Sequence, residues 1–272
     1  MRPTEFIIHN EKTDLDILIN NKRKPNLTPL KKLAPKIWER YQAYDKKMLH
    51  GYLGRYIYTN VEKSALESLY CKDIAFNSIR DKITSLSLSS CPYCSMWSPS
   101  EIDHFLPQSI YPEFSAKPSN LIYSCEDCNN LKRARIYDKN RNLLIPNINI
   151  HPVPKERIFY AKLAEGRNGW FARYHYHIPQ SVSDPHREKL IMQIQFFELI
   201  TRFQEEASKE ISRIERRIRK PDFRKNRTRI INHFRYEGET EEEEKGICNW
   251  KAVLYRAAWK SNEFLDHCSN LE

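Results

Sequence analysis

Residues 91–109 read CPYCSMWSPSEIDHFLPQS, with two cysteines, an acidic pair and a histidine inside nineteen positions. A second pair, Cys125 and Cys128, follows after a gap of 30 residues. A turn between cysteines so spaced aims both thiolates at one point, and two such knuckles complete a tetrahedral four-cysteine zinc site. The gap exceeds the usual ribbon spacing, so the residues inside it must form a small structure of their own, most economically a hairpin. A redox pair of the thioredoxin kind is the competing reading, but the second CxxC has no strand-to-helix setting of that type. A purely structural zinc site has no use for Asp103 and His104, and these two residues raise the question of a reaction centre.

Taken in order, Cys91 and Cys94, Asp103 and His104 followed by Pro107, Asn120 in SNLIYSC, then Cys125, Cys128, Asn129 and Lys132 resemble the HNH endonuclease family, the ββα-metal nucleases with a zinc-stabilised core. The resemblance spans residues 91–132, 42 of 272. The longer string DHFLPQSIYPEFS is also similar to HNH proteins of bacterial defence loci. The resemblance implies roles residue by residue. His104 is the general base, Asp103 and Asn129 hold a catalytic Mg2+ (or Mn2+), and Asn120 fixes the loop and the orientation of His104. Cys91, Cys94, Cys125 and Cys128 hold structural Zn2+, and Lys132, Arg133 and Arg135 contact phosphates.

The chemistry asks for the same groups. Phosphodiester hydrolysis needs a base for water, a cation for the charge growing on phosphate, and help for the leaving 3′ oxygen. Imidazole titrates near neutrality, and hard oxygen ligands suit Mg2+, which keeps most of its waters. Two features depart from the family pattern. In a regular strand Asp103 and His104 point to opposite faces while Glu101 and Asp103 share one, which makes Glu101 a reserve ligand. The segment YPEFSAKPSN also lacks the glycines that many relatives carry before the central Asn.

Outside this segment the chain reads as helices. Leu33, Ile37, Tyr41, Tyr44 and Met48 recur at helical spacing up to Gly51, and residues 61–86 continue as two helices broken near Asp73. A single helix of about eight turns is expected over 185–220, a strand at GWFARYHYHI, and a last helix around NWKAVLYRAAWKSNEFL. Residues 1–27 read as mixed and polar, with NNKRKPN as a loop or flexible arm, and Glu241–Glu244 read as an exposed loop. Residues 213–229 concentrate nine Lys or Arg, which could track a nucleic-acid backbone. His175 and His177 share a strand face. The expected architecture is α+β, a mainly helical protein around a small zinc-stabilised ββα-metal core. It divides into an N-terminal helical region (1–88), the nuclease core (89–150) and a mostly helical C-terminal region (151–272).

Composition agrees with this reading. With 45 Lys+Arg against 35 Asp+Glu, the net charge of +10 favours a polyanionic partner. Seven cysteines, an odd number, argue against a disulfide framework. No apolar run has the length of a signal peptide or a membrane span, so a cytoplasmic protein without a membrane partner is expected. The expected activity is metal-dependent cleavage of DNA, with RNA also admitted, by a nickase or effector nuclease in anti-phage defence that works beside other defence-system proteins. The alternatives are a non-catalytic zinc-binding module for nucleic acid or protein, and an HNH nuclease of restriction or mobile-element type.

Overall fold

In the computed structural model, which describes residues 10–71, 74–85, 89–151, 155–223 and 226–271, the apolar stripes become ten helices and two antiparallel strand pairs among the described residues. The protein is therefore mixed α and β, with helix predominating. Described residues within Pro3–Leu88 and Ser98–Pro152 form one compact unit, and those within Ser89–Trp97 and Val153–Glu272 form another.

The first unit begins with α1 (Glu11–Asn20), inside the segment read as mixed and polar, and the stretch read as a loop or arm follows it. Asn10 caps the helix by accepting from the Thr13 amide, and Leu15, Leu18 and Ile19 supply a short buried face. Helix α2 (Leu27–His50) buries Leu30, Leu33, Ile37, Tyr41, Tyr44 and Met48, as its periodicity requires, and stops at Gly51, whose φ of 121° suits glycine. Helix α3 (Asn60–Glu67) opens on a capping box between Thr59 and Glu62, and α4 (Ile74–Ser85) follows. The break expected near Asp73 falls at a residue outside those described.

Next come β1 (Glu101–His104) and β2 (Leu121–Ser124), paired antiparallel so that Asp103 lies opposite Ile122 and His104 opposite Leu121, and then α5 (Glu126–Lys132). The hairpin expected between the cysteine pairs is present, closed by a long loop with two single-turn 3-10 helices. That loop rests on the helices before it. The Arg40 guanidinium meets the buried Glu113 at 2.6 Å, Tyr111 donates to the Leu53 carbonyl, and the Ser115 hydroxyl donates to the Leu66 carbonyl. Lys117, fully buried, pairs with Glu11 at 2.5 Å and lies over the rings of Tyr41 and Tyr44.

In the second unit, β3 (Phe159–Gly166) and β4 (Gly169–Tyr176) form a two-stranded ribbon; β4 is the strand expected at GWFARYHYHI. The expected eight-turn helix is two, α6 (Asp184–Phe196) and α7 (Leu199–Ile218). Glu198 between them takes a left-handed φ of 51°, which lets Phe197 and Leu199 both be buried across the joint. Helices α8 (Arg227–Lys245), α9 (Trp250–Lys260) and α10 (Asn262–Asn270) complete the unit.

The glutamate run expected as an exposed loop belongs to α8. Glu241 is buried and pairs with Lys245 and Lys251, while Glu242 takes Arg157 and Arg256. Four cations thus neutralise side chains whose composition alone suggests solvent. The basic stretch is divided between two helices and is partly engaged, with Arg213 on Glu210 and Arg227 on Asp266.

The faces of α8 give the first test. Phe234 is fully buried against Tyr255 and Phe264, whereas Tyr236, two residues on, is 67% exposed. Phe234→Ala should lower the unfolding free energy by about 3–5 kcal/mol and Tyr236→Ala by no more than about 0.5 kcal/mol, read by denaturant titration.

Candidate active site and metal centre

The cysteine quartet is a metal centre in form. The sulfurs of Cys91, Cys94, Cys125 and Cys128 all lie within 4.8 Å of one another, and all four residues are buried. In a tetrahedral zinc site with bonds of about 2.3 Å the sulfurs stand about 3.8 Å apart. The backbone has the matching shape. The Ser95 amide donates to the Cys91 carbonyl at 2.7 Å, the Met96 amide points to the Cys94 sulfur at 3.4 Å, and Ser95 takes a φ of 55° to make the turn. Cys125 caps α5 and Cys128 lies in its first turn. Four buried sulfurs so close can hold a structural metal such as zinc.

The hairpin presents two chemically different faces. On one, Glu101 and Asp103 face α5. The Asn129 amide nitrogen donates to Glu101 Oε2 at 2.6 Å, and Lys132 Nζ donates to Asp103 Oδ1 at 2.9 Å and to the His104 carbonyl at 2.8 Å. Lys132 is fully buried and Asp103 nearly so. Burial pulls the lysine pKa down and the Asp103 charge opposes that pull. Lys132 therefore sits inside the fold and clamps the strand, which corrects its expected place among the phosphate contacts. Arg133 and Arg135 are exposed, each folded back on a carbonyl of α5, those of Asn130 and Leu131.

His104 works on the other face. Its Nε2 lies 2.9 Å from the Ser115 carbonyl, an acceptor, so this nitrogen carries the hydrogen and Nδ1 keeps the lone pair. The ring meets Tyr70 edge-on at 4.4 Å. Burial holds its pKa below the ordinary imidazole value, partly offset by the Ser115 bond and the Asp103 charge. Its burial thus favours the neutral imidazole over the imidazolium.

Asn120 fastens the loop that carries this acceptor. Its Oδ1 accepts from the Tyr44 hydroxyl at 2.6 Å and the Leu106 amide at 2.8 Å, and its Nδ2 donates to the carbonyls of Leu106 and Phe114. Asn147 extends the network by donating to the Tyr44 hydroxyl and the Ser119 carbonyl. Tyr44 and Asn147 are not legible as site residues in the sequence. The helical period of α2 marks Tyr44 as buried and says nothing of where its hydroxyl goes.

The hairpin thus brings His104 to Ser115, Asp103 to Lys132 and Asn129 to Glu101, the residue that alternation marks as a reserve ligand. The hard-oxygen donors suited to Mg2+, Glu101 and Asp103, share one face, and such an ion needs only one or two protein carboxylates. His175 stacks on Tyr160, and among the described residues neither it nor His177 joins a metal-ligating group.

No protein-family profile and no solved structure matches this chain. The chain is 29% identical over 168 residues to protein ea31 of Escherichia phage lambda, an alignment covering 57% of this chain and 55% of that protein. The chain thus spans about half the length of the curated relative it matches.

Two substitutions test the geometry. Lys132→Met strands a buried carboxylate and should cost about 3–5 kcal/mol of stability by thermal or denaturant unfolding, whereas Arg135→Met, at the surface, should cost no more than about 0.5 kcal/mol. Cys125→Ser should remove the metal found by elemental analysis and lower the melting temperature, while Cys248→Ala, outside the quartet, should leave the metal content unchanged.

Proposed function

We propose that this protein is a metal-dependent endonuclease of the HNH type that hydrolyses DNA phosphodiester bonds. The observation that carries the reading is the geometry at His104, the last residue of β1, whose Nε2 is committed to the Ser115 carbonyl of a loop stapled by Asn120, which leaves Nδ1 to act as the base. His104 Nδ1 takes a proton from water, the resulting hydroxide attacks phosphorus, and the bond to the 3′ oxygen breaks. The Ser115 carbonyl fixes the tautomer and then supports the imidazolium that forms. Asp103, with Glu101 or Asn129, would hold Mg2+ (or Mn2+), and that ion, when bound, supplies positive charge to the phosphate and the leaving oxygen. Zn2+ on the four cysteines holds the fold and takes no part in the reaction.

Similarity to a phage-encoded protein favours a setting where phage and host meet. We place the protein there as a nickase or effector nuclease of anti-phage defence, a setting it shares with mobile-element enzymes. A non-catalytic zinc module is the second reading. The specific observation in its favour is that Asp103 Oδ1 is held by Lys132 rather than open to an ion.

The test is cleavage of supercoiled plasmid. His104→Ala should slow cutting by roughly 10²- to 10⁴-fold, the range for loss of a general base, with zinc content unchanged. Brief EDTA treatment should abolish cutting and added Mg2+ or Mn2+ restore it, and nicked circles should form before linear product. Full activity in His104→Ala removes the assignment of the base, and no activity under any metal favours the non-catalytic module.

A further inference from the structure

The second unit carries a surface that the hairpin chemistry does not use. In the β3–β4 register Tyr160 lies opposite His175, and Lys162 opposite Arg173. Cross-strand partners and their neighbours two residues along share a face, so Tyr160, Lys162, Phe171, Arg173 and His175 lie together on one side of the ribbon. The other side faces inward through Phe159, Ala172 and Tyr174. On the outer side Tyr160, Lys162, Arg173 and His175 are all exposed.

The rings lie flat. Tyr160 and His175 stack at 5.7 Å with 22° between their planes, and the Arg173 guanidinium covers Phe171 at 5.8 Å. Tyr160 and Lys162 also line a groove of about 350 Å3 between β3 and α9, whose opposite wall carries Arg256 and Lys260. Glu242 neutralises part of this charge by pairing with Arg157 and Arg256. Lys162, Arg173 and Lys260 form no ion pair with a described residue, and Glu263 is the one carboxylate in the groove lining.

We infer that this ribbon face and its groove bind a single-stranded stretch of nucleic acid, with bases stacking on Tyr160 and His175 and phosphates meeting Lys162, Arg173 and Lys260. The inference rests on the nuclease reading only for the class of partner. Alternating rings and cations select for such a strand over an acidic peptide. A base gains stacking energy from a flat ring, whereas a carboxylate is repelled by the negative face of the same ring. Phosphates at intervals along the strand then reward each unpaired cation through counterion release.

The experiment measures binding of the full chain to a fluorescent single-stranded oligonucleotide by anisotropy, in buffer without divalent ions, across a salt series. Tyr160→Ala should weaken binding roughly 5- to 150-fold, the range for one base stack, and Tyr160→Phe should restore it because the ring is kept. Replacing Lys162 and Arg173 together by Gln should lower the salt slope by about 1.4, two contacts at about 0.7 each. These positions are exposed, and an unchanged melting temperature shows that the variants are folded. The inference is overturned if the wild-type chain does not bind, if the variants bind as the wild type does, or if polyglutamate displaces the oligonucleotide as well as unlabelled strand does. Plasmid cutting reports separately on the nuclease reading. Ring-dependent binding without cleavage keeps this surface and loses the enzyme, and cleavage with unaltered variants does the reverse.

Discussion

A buried carboxamide must find all its hydrogen bonds inside the protein, because leaving one unmet costs about as much as a stable contact contributes. The amide of Asn120 meets that demand with four partners drawn from both arms of the loop and from α2. The loop has little choice of shape as a result. Its carbonyl at Ser115 is delivered to His104, and the first pair of the hairpin is continued by the Phe105 amide on the Asn120 carbonyl. The N-terminal helices serve this one constraint, with Tyr44 in the network itself and Arg40 gripping the loop at Glu113.

On the opposite face of the same short strand, Lys132 does for Asp103 what Asn120 does for His104. A four-residue strand cannot specify its own register strongly, and a slip by one would exchange the faces of the two residues. Lys132 binds both the Asp103 carboxylate and the His104 carbonyl, so it senses side chain and backbone at adjacent positions. In the other unit the knuckle at 91–97 is fixed with similar economy. Gln193 donates to the Tyr93 carbonyl, Asn249 to that of Ser95, and the Tyr93 ring stacks on Phe197 at the joint between α6 and α7.

What can be read from the sequence follows from which forces are local. The two CxxC pairs, the hairpin between them and the stripe of α2 depend on spacing, and the structure has all three. The single eight-turn helix is absent because a periodic stripe says which residues are buried, not whether one axis serves them all. Glu198 bends the path without breaking the pattern. Glu241 and Glu242 read as loop because their partners, Lys251, Arg157 and Arg256, come from elsewhere in the chain or from another helix. Lys132 misleads for the same reason. A lysine on a short basic helix reads as solvated until Asp103, 29 residues earlier, is placed beside it.

The loop between β1 and β2 makes inner contacts at Leu106, Gln108, Tyr111, Glu113 to Ser115, Lys117 and Asn120, while Ser109 is exposed. Length added at Ser109 would open the turn in which the Ile110 and Tyr111 amides donate to the Pro107 carbonyl, whereas doubling a flexible loop costs only about 0.6 kcal/mol in closure entropy. The main cost of a longer loop is thus set at this turn and not at the Asn120 clamp. A segment inserted there would change the turn at the tip, while the bonds that hold the Ser115 carbonyl in place lie elsewhere, at Leu66 and Phe114.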